Sequence, residues 1–194
     1  MSSLSTVCSE ISTVLPSIAM EHVAQSLWFD LAFALRNDPG RLLDLIERLD
    51  GTRYRIAPKI ARASEAQLTH QPDGKWSVKE QIGHLYQIEA LWLGRIDDIL
   101  DPNITHLRSW DLENRSVRSS QFQIADTDDL IRQFNQERSK LVARVRQLPS
   151  HYSSASALHP RLQQPFYLLE LFQFVAEHDD YHLAQIEQLI RTPH

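Results

Sequence analysis

Residues Ala176-Glu177-His178-Asp179-Asp180-Tyr181-His182-Leu183-Ala184-Gln185 set two histidines four positions apart inside an apolar run. On a helix that spacing puts both imidazoles on one face, ~6 Å apart along the axis. Leu171, Val175, His178, His182, Gln185 and Leu189 recur at alternating steps of four and three. Such a pattern is the inward seam of a bundle helix, expected from about Phe166 to Arg191. Imidazole nitrogens on that seam need partners, because an unsatisfied polar group in a core costs free energy. One divalent ion would satisfy both histidines, provided the rest of the chain brings further ligands to the same level.

Trp76-Ser77-Val78-Lys79-Glu80 opens a second strong helix. Ser77 and Glu80 have capping-box spacing: the hydroxyl accepts from the Glu80 amide and the carboxylate accepts from the Ser77 amide. The helix should run to about Leu100. Val78, Ile82, Leu85, Trp92, Ile96 and Ile99 line one side; Gln81, His84, Ile88 and Leu91 line the adjacent one. His84 is therefore the best third ligand, in the second turn and beside the apolar stripe. Three neutral nitrogens at ~2.0–2.1 Å would leave open positions for water or substrate, the arrangement of catalytic rather than structural sites. The expected ion is Zn or Ni, with Fe, Mn or Cu as alternatives.

Around these two helices the chain reads as helical throughout. Met20, Val23, Ala24, Leu27, Trp28, Leu31, Ala34 and Leu35 predict an amphipathic helix over Ile18 to Arg36, flanked by Phe29 and Phe33. Asp38-Pro39 is a helix start, with Leu42, Leu45, Ile46 and Leu49 on its buried face. Gly51 is expected to end that helix, with Thr52 capping the next and Pro58 breaking or kinking it. Residues 64 to 75 read as a polar connection turning at Pro72-Asp73-Gly74. Asp126 caps a helix carrying Leu130, Phe134, Leu141, Val145 and Leu148, whose Lys and Arg residues read as a solvated face. Residues 101 to 125 and 150 to 165 have no helical period, and the first is long enough to be a lid. No strand-like alternation or phosphate-binding glycine loop stands out.

Composition narrows the function classes. With 42% hydrophobic and 23% charged residues over 194 positions, one soluble domain with a sizeable core is expected. A net charge of -5 argues against nucleic acid as the main partner. Cys8 is the only cysteine, which excludes an internal disulfide and a thiolate metal site and fits a reducing cytoplasm. Residues 1 to 35 hold no Lys or Arg and no run approaches ~20 apolar residues, so neither a signal peptide nor a membrane span is expected.

Two of these stretches carry a resemblance. Gly74-Lys75-Trp76-Ser77-Val78-Lys79-Glu80-Gln81-Ile82-Gly83-His84-Leu85 resembles the helix-two signature of the DinB-like (YfiT-like) four-helix-bundle superfamily. Glu177 to Gln185 resembles its helix-four signature, and Gly51-Thr52 and His159-Pro160-Arg161-Leu162 are similar to segments in a subset of that family. The resemblance spans about residues 40 to 191. It implies an all-α fold, a DinB/YfiT-like four-helix bundle over residues 39–194, here with an additional amphipathic helix in an extension over residues 1–38. It further implies a divalent metal held by His84, His178 and His182, and a homodimer.

Relatives of that kind include thiol S-transferases using low-molecular-weight thiols such as bacillithiol, a mycothiol-dependent isomerase and proposed hydrolases. The expected function is thus a metal-dependent enzyme that activates a thiol or water against a small electrophile, as an S-transferase or hydrolase. The alternative is a non-catalytic metal-binding or stress-associated interaction protein. The expected partner is a small-molecule substrate, with a low-molecular-weight thiol as one form. Gln81 and Gln185, three residues from His84 and His182, are candidates to bond an imidazole or bound water. Arg161 is a candidate to hold a substrate carboxylate. Asn114 and His159 come from the irregular segments that could cover the bundle end, and at most one of Glu177 and Asp179 should reach the site.

Overall fold

The computed structural model describes residues 25–110 and 120–191, with the Phe29 side chain outside that description. Four long helices form the body: α1 (Leu42–Ile60), α3 (Val78–Leu100), α4 (Thr127–Val145) and α5 (Leu168–Arg191). A short helix, α2 (Glu65–Thr69), lies between the first two, and a hairpin of β1 (Ser156–Leu158) and β2 (Pro165–Tyr167) precedes α5. Helices α1 and α3 each pack on both α4 and α5, so α1 and α3 face each other across the bundle diagonal. The connection carrying α2 must therefore cross the bundle end. It delivers the chain to the start of α3, where His84 sits.

Local chemistry sets the helix starts. Ser77 and Glu80 form the expected capping box, and Asp126 accepts from the Asp129 amide. Asp38 accepts from Gly40 and leads through a 3-10 turn at Pro39–Arg41 into α1. A second capping box, Ser64 with Gln67, starts α2, which the polar composition of residues 64–75 conceals.

Gly51 and Pro58 do not interrupt α1. Leu45, Leu49, Thr52, Ile56 and Ile60 make one continuous buried stripe across both residues, and packing along it outweighs their poor propensity. Thr52 caps nothing; its hydroxyl donates to the Asp179 carboxylate at 2.8 Å.

Along each long helix the core divides at the same level. One apolar cluster takes Leu45 and Leu49, Trp92 and Ile96, Leu141 and Val145, and Phe172 and Val175. The other takes Ile56 and Ile60, Ile82 and Leu85, Leu130 and Phe134, and Leu183 and Ile186. Between them a connected set of buried polar residues, one from each helix, spans the bundle: Thr52, Glu89, Arg138 and Asp179. Arg138 is 0% exposed and bridges both carboxylates, with Nη2 at 2.5 Å from Glu89 Oε1 and 2.9 Å from Asp179 Oδ1. This corrects the expectation that the cations of α4 are all solvated. A buried guanidinium needs this pairing, because an isolated charge in a core would be prohibitively costly.

Two further expectations change. Residues 25–36 are not an α-helix; they make a 3-10 turn at Trp28–Asp30 and then run extended, while residues 18–24 lie outside the described part. Leu31, Phe33 and Leu35 are more buried than Ala32 and Ala34, a period of two that lays the segment as a strap against α5. Gln173 pins it by bonding the Arg36 amide and the Ala34 carbonyl. The 150–165 segment, expected irregular, closes as the hairpin, pairing Ala157 with Phe166. Strands of three residues are too short to display alternation in the sequence. No helix among the described residues is long and apolar enough to cross a membrane.

Candidate metal centre

His84 comes from the second turn of α3, and His178 and His182 from successive turns of α5. Their Nε2 atoms converge: His178 Nε2 lies 3.2 Å from His84 Nε2 and 3.1 Å from His182 Nε2. The three side chains are 9%, 5% and 5% exposed. Among the described residues they form a His/Cys/Asp/Glu group that could hold a metal ion. Nitrogens about 3 Å apart suit one ion bonded to each at ~2.0–2.1 Å.

Gln81 sharpens that fit. Its Oε1 lies 2.5 Å from His182 Nδ1. An amide oxygen only accepts, so Nδ1 carries the proton and Nε2 turns a bare lone pair toward the other two imidazoles. A hydrogen bond to the far nitrogen of a ligand histidine is the usual means of fixing its tautomer and ring angle. Gln185 does a different job: it donates to Gln25 Oε1 at 2.7 Å, and Gln25 in turn donates to the Tyr181 carbonyl. These bonds tie the strap to α5 beside the histidines.

Neither acid flanking His178 turns inward to the nitrogens. Glu177 pairs with Arg48 at 3.0 Å, and Asp179 belongs to the buried Arg138 layer. With Asp179 locked behind it and Thr52 bonded to the same carboxylate, α5 is fixed in the rotation that presents His178 and His182 to α3.

The three histidines open into a cavity of about 810 Å³. All four tryptophans of the chain line it: Trp28 from the strap, Trp76 before α3, Trp92 on α3, and Trp110 from the following loop. Trp76 lies 4.8 Å from the His84 ring and stacks near His182 at 6.2 Å, while Trp28 meets His178 edge-on at 5.2 Å. Trp76, immediately before the α3 capping box, thus forms a wall beside the nitrogens.

His159 and Arg161 reach the cavity wall, whereas Asn114 lies outside the described residues. His159 Nδ1 accepts from the amides of Arg161 and Leu162, at 3.3 and 3.2 Å. Burial, with Arg95 and then Arg161 nearby, pulls its pKa down to about 4, so the ring is neutral at pH 7.

The chain belongs to the DinB superfamily, whose sequence profile matches residues 35–186. A similar solved structure is the subject of the report "YfiT from Bacillus subtilis is a probable metal-dependent hydrolase with an unusual four-helix bundle topology". It is 18% identical, with a TM-score of 0.70 over 79% of this chain and 88% of that one, a likeness of fold alone. No curated protein is significantly similar to the chain. The family match begins at residue 35, so the strap wall with Gln25 and Trp28 lies outside it.

Proposed function

We propose that this protein is a metal-dependent enzyme that holds one divalent ion on the Nε2 atoms of His84, His178 and His182. It acts on a small molecule bound in the tryptophan-lined cavity. The observation that carries this reading is the convergence of the three nitrogens, with Gln81 Oε1 set 2.5 Å from His182 Nδ1. The bound ion would supply Lewis acidity, making a thiol or water nucleophilic near neutral pH. Transfer of a thiol to a small electrophile and hydrolysis both draw on that chemistry.

The chain's own residues do the remaining work. Gln81 keeps the His182 lone pair directed inward. Trp28, Trp76 and Trp110 line the cavity around the nitrogens and offer flat apolar faces to a substrate. The buried Arg138 layer holds the ligand-bearing turns of α5 in register.

Elemental analysis of the protein as purified, and after incubation with Zn or Ni, tests the site. One ion per chain is expected in the wild type, with loss of it in His84→Ala and His182→Ala. A wild-type protein that carries no metal and takes none up would defeat the reading. Thiol-transfer and ester-hydrolysis assays on the loaded protein then decide between the two reactions.

A further inference from the structure

Positions 84, 88, 91 and 95 of α3 recur at steps of four, three and four, so they share one face of the helix. His84, Ile88, Leu91 and Arg95 all line the cavity. It therefore continues along α3 from the histidines past two apolar side chains to a guanidinium. The backbone rise between the two ends is ~16 Å, shortened by the long arginine side chain, which leans toward the helix N-terminus.

Arg95 is 5% exposed, yet no carboxylate among the described residues pairs with it. The nearest acid, Asp98, is claimed by Arg108, whose Nε and Nη2 lie 2.9 and 2.6 Å from it and whose amide lies at 2.9 Å. Arg108 spreads over Gly94, where a Cβ would collide with its guanidinium. The single hydrogen bond of Arg95 runs from Nε to the Arg108 carbonyl at 3.2 Å, so Nη1 and Nη2 donate to no group among the described residues. The guanidinium is braced against the Trp92 ring, 5.4 Å from its centroid. Burial pulls its pKa down to about 10, and it stays charged at pH 7.

The surroundings favour one kind of ligand. The charged residues among those lining the cavity are Lys75, Arg95 and Arg161; no Asp or Glu is among them, in a chain of net charge -5. Trp92 Nε1 and Trp110 Nε1 are buried donors without an acceptor among the described residues. The lining thus offers cationic and indole donors and no carboxylate acceptor. A buried guanidinium with an open fork is the group that binds a planar oxyanion in two parallel hydrogen bonds.

We propose that Arg95 is the anchor for an organic oxyanion, so that the ligand is an elongated molecule with a carboxylate or phosphate at one end, an apolar or aromatic body, and its reacting group at the histidine end. The proposal rests on reading the cavity as the substrate site. It assigns the oxyanion to Arg95 and not to Arg161, because Arg95 is the buried cation of the wall that no carboxylate among the described residues pairs.

The test uses full-length, metal-free protein, so that no ion can attract the probe. Phenylacetate, phenylacetamide and phenyl phosphate are titrated against it, read by quenching of the tryptophan fluorescence. Phenylacetate should bind about tenfold tighter than its neutral amide. Arg95→Gln should bring that ratio to about one, and Arg95→Lys, which keeps the charge and loses the fork, should fall between. Arg161→Gln should keep the preference. Tighter binding of phenyl phosphate than of phenylacetate would make phosphate the oxyanion, and the reverse order carboxylate; either supports the proposal.

Equal binding of acid and amide by the wild type would overturn it, as would no binding of either anion at millimolar concentration. A preference that survives in folded Arg95→Gln protein, checked by circular dichroism, or in Arg95→Ala, would do the same. In His84→Ala the preference should remain while metal uptake is lost. Failure of the metal reading and failure of the anion site are thereby distinguished.

Discussion

Gln81 and His182, 101 positions apart in the sequence, meet at 2.5 Å through Oε1 and Nδ1. The contact joins the first turn of α3 to α5 and leaves His182 Nε2 as an acceptor facing His84 and His178. Capping chemistry at Ser77 fixes where α3 begins, so it fixes the height of Gln81 against α5.

Replacing Gln81 should therefore weaken the proposed metal site without dissolving the fold. Gln81→Ala should lower metal affinity about 10- to 100-fold. Gln81→Glu, which keeps an acceptor at the same place, should lose far less. Competition titration against a chromophoric chelator measures both, and equal affinity in all three proteins would remove Gln81 from the site.

Arg138 should be the most sensitive position in the core. Its removal would leave Glu89 and Asp179 as unpaired buried carboxylates, a loss of about 3–5 kcal/mol. Arg138→Met should show that loss in urea unfolding. Because Asp179 adjoins His178, metal affinity should also fall in whatever Arg138→Lys protein remains folded. Unchanged affinity would mean that the polar layer stabilises the bundle without orienting the ligands.

Much of this centre is written locally, and the part that is not depends on long-range pairing. His178 and His182 announce themselves by spacing, and His84 by its place after a capping box. Arg95 and Arg138 give no such sign. An arginine on a helix is ordinarily a surface residue, as Arg132 of α4 is. What distinguishes Arg138 is a pair of carboxylates 49 and 41 residues away. What distinguishes Arg95 is the capture of Asp98 by Arg108. The strap was obscured by a different ambiguity: Trp28, Leu31 and Leu35 fit a helical step, and Leu31, Phe33 and Leu35 fit an extended one. Docking against α5 selects the second.

Gly83 adjoins His84, and a Cβ on it would overlap ring atoms Cγ and Cδ2 of Phe122. Phe122 is 7% exposed and packed in the core, so its ring root has little room to retreat. Gly83→Ala should cost about 1–3 kcal/mol by overpacking. Pairing it with Phe122→Ala should cost less than the sum of the two single changes, a coupling that a double-mutant unfolding cycle reads directly.

His159 gives stability a pH dependence of known sign. Its folded pKa, about 4, lies below the ~6.5 of an unfolded histidine. As pH falls from about 6.5 toward 4 the unfolded chain takes up the proton and the folded one does not. The stabilising contribution is complete above about 6.5 and is lost across that window. Glu89 acts in the opposite sense: burial, against the pull of Arg138, raises its pKa to about 7, so lowering pH below 7 favours the folded chain at this residue. The two slopes partly cancel in the wild type, which makes the difference between proteins the useful quantity. His159→Asn keeps an acceptor near the Arg161 and Leu162 amides and cannot titrate. Its unfolding free energy, relative to wild type, should rise by about 1–3 kcal/mol between pH 7 and pH 4.5. A flat difference across that range would mean that His159 takes up its proton equally in both states.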